Sequence, residues 1–229
     1  MAKVTRSDSR YARPAVTVDV VVFTLQHGLH VLLVQRKHPP FAGMWALPGG
    51  FVEIDEPLEE AARRELREES ALQPDYLEQL YAFGDPQRDP RTRVITIAYL
   101  ALLPHGRQEA RAASDAAAAS WFPAYAPPPL AFDHGRILDC AIARLRCQLE
   151  RSALIFELLP PEFTLGELQQ AYEQVLNERL DKRNFRRKML RAGLLADTGR
   201  HKAGAYRPAR LYRLREEAAV GLRARRVFP

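Results

Sequence analysis

Between Gly49 and Ser70 the chain reads GGFVEIDEPLEEAARRELREES, and this stretch constrains the fold more than any other. Leu58, Ala61, Ala62 and Leu66 recur at three- and four-residue spacing among charged residues, so Pro57 to Glu69 is predicted to be a helix with one narrow buried stripe. Glu56 and Pro57 suit its start. On such a helix Glu65, Glu68 and Glu69 stand at i, i+3 and i+4, with Cβ atoms about 5–6 Å apart on one face. Three carboxylates so placed repel one another unless a cation sits among them. Donors that are all oxygen select a hard ion, Mg2+ or Mn2+. Such an ion bridges diphosphate oxygens and activates water. The same residues also have a reading without metal. Glu59–Arg63, Glu60–Arg64 and Arg64–Glu68 are i,i+4 partners, as on any solvated helix.

The flanks read mostly as strands. AVTVDVVVFTL and HVLLVQRK form a hairpin around a turn at Gln26 to Leu29. PPFAGMWALPGG is a loop holding a short strand, and YLEQLYAFG and RVITIAYLALL are further strands. HGRQEARAASDAAAAS reads as a polar, Ala-rich loop, with WFP a short strand after it. Asp133 then opens an amphipathic helix carrying Ile137, Leu138, Ile142, Leu145 and Leu149. Cys140 and Cys147 lie on it seven residues apart, about 10 Å along the axis, which is too far for a bridge. They read as small core residues in a reducing compartment. No apolar run nears the ~18 residues of a membrane span, and residues 1 to 14 lack the apolar core of a signal peptide. The expected location is the cytoplasm.

Past Pro160-Pro161 the texture changes. TLGELQQAYEQVL is predicted to be a helix in which Thr164 and Glu167 form a capping box. DKRNFRRKMLRAGLL is a second helix capped by Asp181, with Phe185, Met189 and Leu190 as its buried side. Turn residues around Gly199 and Gly204 then lead to a strand at RLYRL. Helix, short turn, basic helix and basic hairpin is the order of a winged helix-turn-helix. Charge marks the same division. Residues 1 to 150 hold 17 Lys+Arg against 19 Asp+Glu, a balance of −2; residues 151 to 229 hold 17 against 9, a balance of +8. Such asymmetry suggests two domains, 1–150 and 151–229, the second meeting a polyanion. Lys182, Arg183, Arg186, Arg187, Lys188 and Arg191 load the basic helix, and Arg200, Lys202, Arg207 and Arg210 load the hairpin. Phosphate neutralisation needs charges on two neighbouring elements. Lys182, Arg183 and Asn184 lie near the helix start, where base-reading residues are needed. The alternative is a basic helix solvated, or set against an acidic partner domain.

Gly50, five residues, Glu56, seven residues, then Arg64-Glu65-Leu66-Arg67-Glu68-Glu69 resembles the Nudix box of metal-dependent hydrolases of nucleoside diphosphates linked to another group. The resemblance implies an α/β/α sandwich with a mixed sheet, over roughly residues 15 to 125. It also implies metal held by Glu65, Glu68 and Glu69, carboxylates oriented by Arg64, and Gly50 admitting the backbone to the metal. One box position departs: the usual glycine two residues after the last glutamate is Ala71. That glycine suits a positive-φ helix end, so Ala71 is expected to cost about 1 kcal/mol of strain or to shift the turn.

PPFAGMWALPGGFVE is similar to the ADP-ribose-cleaving Nudix branch. On that resemblance Arg36 is a candidate for the diphosphate, and Phe41 or Trp45 for stacking on adenine; a solvated Arg and two core aromatics are the alternatives. In GDPQRDPRTR, Arg88, Arg91 and Arg93 are either phosphate clamps or members of a solvated loop. A hydrolase also needs a base on a later loop, where Glu109 and Asp115 are the only acids and neither is compelling. FTLGELQQAYEQVL, DKRNFRRKML and AYRPARLYRL look like the Nudix-related transcriptional regulators of NAD metabolism. In that family an N-terminal Nudix domain senses ADP-ribose and a winged helix binds double-stranded operator DNA as a homodimer. The resemblance implies a repressor. The intact acids keep an ADP-ribose pyrophosphatase with an accessory winged helix as the alternative.

Overall fold

The computed structural model describes residues 13–104, 116–149, 153–203 and 208–215. Strand β1 (Ala15–Leu25) is the axis of a seven-stranded mixed sheet. It pairs antiparallel with β2 (Leu29–Arg36) and parallel with β6 (Val94–Leu102), and the short β4 (Gly49–Phe51) is laid antiparallel against its first half. The short β3 (Trp45–Ala46) and β7 (Ala116–Pro123) add to β2, and β5 (Tyr76–Phe83) adds to β6.

Alternation along β1 decides the layers. Val18, Val20 and Val22 join Ala61, Ala62 and Leu66 of α1 (Leu58–Ser70) in one apolar cluster. Val21, Phe23 and Leu25 join Ile137, Leu138 and Leu145 of α2 (His134–Gln148) in another, on the opposite face. Helix, sheet and helix form the α/β/α sandwich.

The second cluster does not stop at α2. It continues through a 3-10 helix, Leu154–Leu158, to Leu168 and Val175 of α3 (Leu165–Leu176), Phe185 of α4 (Lys182–Arg191) and Leu195. Polar ties follow the same path. Tyr172 Oη donates to Leu149 O at 3.1 Å, Tyr125 Oη donates to Val175 O, and Arg146 lies 3.3 Å from Glu178. A three-stranded antiparallel sheet, β8 (Phe163–Thr164), β10 (Ala209–Leu214) and β9 (Leu195–Lys202), completes the winged helix. The Thr164–Glu167 capping box is present, and Asp181 caps α4 by accepting from Asn184 N.

Several expectations change. Ala116 to Ser120 belong to strand β7, not to a loop; the pairing with β2 overrides the low strand propensity of alanine. Helix α4 ends at Arg191, and Gly193, at φ +68°, turns the chain so that Leu195 opens a strand. Gly199 makes no turn but sits within β9 at φ +71°, opposite the register shift between Arg210 and Tyr212. Leu190 is exposed, not on the buried side of its helix, and Cys147 is exposed rather than core. No helix among the described residues is long and apolar enough to cross a membrane.

Candidate functional site

Arg64 organises the acidic helix. Its Nε and Nη2 donate to the two oxygens of Glu56 at 3.0 and 2.6 Å. Nη1 donates to Glu65 at 2.7 Å and to Glu68 at 3.3 Å, and Nη2 also reaches Phe51 O at 3.1 Å. Hydrogen bonding to Arg64 holds the Glu56 carboxyl at about 2. Burial pushes Glu65 the other way, above the usual carboxylate range, against the pull of Arg64. Glu69 accepts from Gly49 N at 2.9 Å, which fastens α1 to β4. Gly50 supports Glu65 directly: a Cβ there would lie 2.4 Å from Glu65 Oε1. Gly49 is pinned against β1, where a Cβ would lie 2.1 Å from Val18 O. Ala71 adopts φ +59°, ψ +14°, so the box keeps its turn and the alanine takes the strained conformation.

Among the described residues no group of three or more His, Cys, Asp or Glu is gathered as a metal shell; the cation among Glu56, Glu65 and Glu68 is Arg64 itself. The donor chemistry nevertheless fits a hard divalent ion. Every candidate ligand is an oxygen, and Gly50 leaves the space that Glu65 occupies.

Glu65 and Glu69 open onto a cavity of about 530 Å³, of a size that holds a small organic ligand. Arg36, Arg91, Phe51 and Phe132 share its lining. The Arg36 guanidinium lies 4.7 Å from the centre of the Phe132 ring, and Arg91 lies 5.5 Å from Phe51 and 5.8 Å from Phe132. Burial and the neighbouring Arg91 lower the pKa of Arg36. Arg91 is held by both oxygens of Asp89, at 3.0 and 2.7 Å. Phe41 flanks the cavity wall, edge-on to Phe132 at 4.8 Å. Trp45 lies outside the lining and packs on Phe122 at 4.7 Å in the core. Arg93 donates to Gly84 O at 2.7 Å, away from the cavity.

Arg88 is buried. Its Nε and Nη2 close on Asp133 at 3.1 and 2.7 Å, and Nη2 also reaches Asp19 at 3.3 Å. Its fork is therefore engaged by protein, not open to solvent as a loop arginine would be. Asp133 opens α2 as expected, with its backbone carbonyl accepting from Arg136 N and Ile137 N, but its side chain goes to Arg88 and does not cap the helix. His134 is buried and neutral. Burial lowers its pKa, and Nδ1 accepts from Leu47 N at 2.9 Å, which leaves the ring proton on Nε2, 3.5 Å from Asp19. Sequence reasoning missed Asp19, Phe51, Asp89, Phe132 and His134. One signal was there: Asp19 is the single charge in an otherwise uncharged, mostly apolar strand, AVTVDVVVFTL.

In the winged helix the cations divide into two sets. Lys182, Arg183, Arg186, Lys188 and Arg191 of α4 are exposed and form no ion pair among the described residues; Arg187 bonds to Asn184, on its own helix. Arg183, Arg187 and Arg191 recur at four-residue spacing, on the side away from Phe185 and Met189. In the hairpin, by contrast, Arg200 pairs with Glu162, Lys202 with Glu167 at 2.6 Å and Arg210 with Asp197 at 3.2 Å. Arg207, Glu109 and Asp115 lie outside the described residues.

Comparison with known proteins bears on both parts. Residues 13–139 match the NUDIX domain and residues 155–214 match the NrtR DNA-binding winged helix domain. The chain is 39% identical over 218 residues to the ADPR responsive transcriptional repressor NtrR of Acinetobacter baylyi, covering 93% of this chain and 86% of that one. It is 42% identical over 128 residues to the ADP-ribose pyrophosphatase of Methanocaldococcus jannaschii, covering 56% of this chain and 73% of that one. Its fold matches Shewanella oneidensis NrtR complexed with a 27mer DNA at a TM-score of 0.76 and 38% identity, covering 89% of this chain and 95% of that one. With a Nudix sandwich, an NrtR winged helix after it and relatives that match along both, the chain belongs to the Nudix-related, NrtR-type transcriptional regulators.

Proposed function

We propose that this chain is a cytoplasmic repressor of NAD metabolism genes that binds operator DNA as a homodimer and leaves it when its Nudix domain takes up ADP-ribose. The observation that carries the reading is the single apolar cluster that runs from β1 through α2 to Phe185 of α4. The cavity and the DNA-facing helix are thereby parts of one packed body, and interiors so packed switch between arrangements rather than deform smoothly.

In this reading residues 1–150 are the sensor and 151–229 the DNA-binding part. Arg36 and Arg91 take the diphosphate, and Phe132 and Phe51 offer ring faces to the base, with Phe41 flanking. Exposed Lys182, Arg183, Asn184, Arg186, Arg187 and Lys188 meet the DNA. Glu65, Glu68 and Glu69, with Gly50, hold Mg2+ or Mn2+, and Arg64 orients the carboxylates. The ion, when bound, supplies charge to the diphosphate oxygens.

The second reading, an ADP-ribose pyrophosphatase, is favoured by the intact acids of the box and by the identity to the Methanocaldococcus jannaschii enzyme. Two measurements separate the readings. Duplex DNA from upstream of the chain's own gene is titrated with and without ADP-ribose, using Glu69→Gln so that the ligand survives. Wild type is assayed for AMP and ribose 5-phosphate with Mg2+ and with chelator. An unchanged DNA dissociation constant at saturating ADP-ribose, together with chelator-sensitive cleavage, would leave the hydrolase in front.

A further inference from the structure

We infer that the Arg88–Asp133 pair is the joint through which occupancy of the cavity is passed into α2, and so to the winged helix. The inference rests on the proposed reading that the cavity takes an anionic ligand and α4 takes DNA. Arg88, Asp89 and Arg91 are consecutive or nearly so, on one loop, and all three line the cavity. Arg91 is held there by Asp89 through a two-point contact, with the Phe51 and Phe132 rings beside it. An arriving diphosphate competes with the Asp89 carboxylate for that same guanidinium, so binding acts on the loop.

Arg88 cannot follow such a shift independently of α2. It is buried, and its fork is closed on Asp133 by two bonds. A bidentate Arg–carboxylate contact fixes direction as well as distance. Asp133 in turn is the residue immediately before α2, and it gives its carboxylate to Arg88 instead of capping the helix. The preceding Phe132 lines the cavity at φ +54°, a conformation that L residues rarely hold without a surrounding constraint. Helix α2 thus begins on the cavity wall.

Its other end reaches the DNA-binding part. Leu149 O, just past α2, accepts from Tyr172 Oη of α3, and the Tyr172 ring meets Phe185 of α4 edge-on at 5.3 Å. Arg146 of α2 pairs with Glu178 past the end of α3. Loop, Arg88, Asp133, α2, Tyr172 and Phe185 form a continuous series of directed contacts from ligand to α4. Coupling along it is read as a change in one affinity caused by the other ligand.

The experiment is fluorescence anisotropy of a labelled upstream duplex with wild type and Asp133→Asn, with and without saturating ADP-ribose, whose integrity is checked afterwards by chromatography. Direct ADP-ribose titrations accompany it. The wild-type ratio of DNA dissociation constants tests the proposed function; a ratio of one sinks that reading and this inference with it. Given a wild-type ratio in the usual range of about 5- to 150-fold, Asp133→Asn is expected to bring it below about one third of the wild-type value, with each separate affinity within about threefold. A merely structural role would not move the ratio while sparing both affinities. Both affinities retained and the ratio unchanged would overturn the joint. If Asp133→Asn binds neither ligand, wild-type hydrogen exchange decides. Altered protection of α2 amides on ADP-ribose binding supports the joint; change confined to the cavity loop overturns it.

Discussion

Gly50 and Glu65 share one small volume: a Cβ on Gly50 would stand 2.4 Å from Glu65 Oε1 and 2.5 Å from its Cδ. The carboxylate must therefore move, or the strand must. Gly50→Ala is expected to lower stability by about 1–3 kcal/mol, as overpacking does. Chemical denaturation of Gly50→Ala, Glu65→Ala and the double variant checks the cause. Shortening Glu65 should relieve the clash, giving a coupling of about 0.5–3 kcal/mol. Additive losses would mean that the glycine is needed for something other than this carboxylate.

Ala71 offers a gain instead of a loss. Its φ of +59° puts a Cβ where only glycine sits freely, and its N–H still closes the helix end on Arg67 O at 2.9 Å. Ala71→Gly is expected to raise stability by about 1 kcal/mol, and it restores the glycine of the box. Urea unfolding reads it. No gain, or a loss, would show that the turn tolerates alanine without strain.

How much of this was legible in the chain itself depends on the distance over which each signal acts. The helix of Glu65, Glu68 and Glu69, the capping box at Thr164 and the cap at Asp181 are local patterns, and the structure contains each of them. Strand β7 was misread because its alanines carry little propensity, and only the pairing with β2, some eighty residues earlier, makes them a strand. Asp133 has the look of a helix cap, yet its partner Arg88 is 45 residues away, and no spacing rule finds that bond. The aromatics of the cavity were legible only in part, for the same reason. Trp45 and Phe41 stand in the conspicuous motif, whereas Phe132 reaches the cavity from the start of α2 and Phe51 from a strand only three residues long.

The stability that acid removes from the box is expected to come from Glu56. Its carboxyl titrates at about 2 in the folded chain against an ordinary 4.5, because Arg64 and the Glu53 amide hold the charged form. The folded value lies below the unfolded one, so the stabilisation is complete above about 4.5 and drains away as pH falls toward 2. Glu65, on the same guanidinium and pushed up by burial, has the opposite sign and gains a proton first on acidification. Glu56→Gln is therefore expected to be less stable than wild type at pH 7, with the gap shrinking below pH 4.5. Urea unfolding of both proteins at pH 7 and at pH 3 tests this; a gap of constant size would place the stabilisation elsewhere.

The two sets of cations in the winged helix make separable claims on DNA. Those of α4 have no ion pair to break among the described residues, so each one that meets a phosphate adds its full share to counterion release, about 0.9 in the slope of log affinity against log salt. Those of the hairpin are committed to Glu162, Glu167 and Asp197. A phosphate that takes Arg210 leaves Asp197 facing the DNA, and the repulsion offsets the contact. Arg187→Ala is thus expected to weaken binding to all duplexes alike and to flatten the slope by about one, while Arg210→Ala changes the slope by much less. The complementary change is more telling: Asp197→Ala frees Arg210, and should steepen the slope and tighten binding at low salt. Titrations between 50 and 200 mM salt measure all three, a range in which such slopes are well resolved at roughly this scale. If Arg210→Ala flattened the slope as much as Arg187→Ala, and Asp197→Ala left it alone, the wing would be meeting phosphate with its ion pairs already broken, and the division between helix and wing would fall.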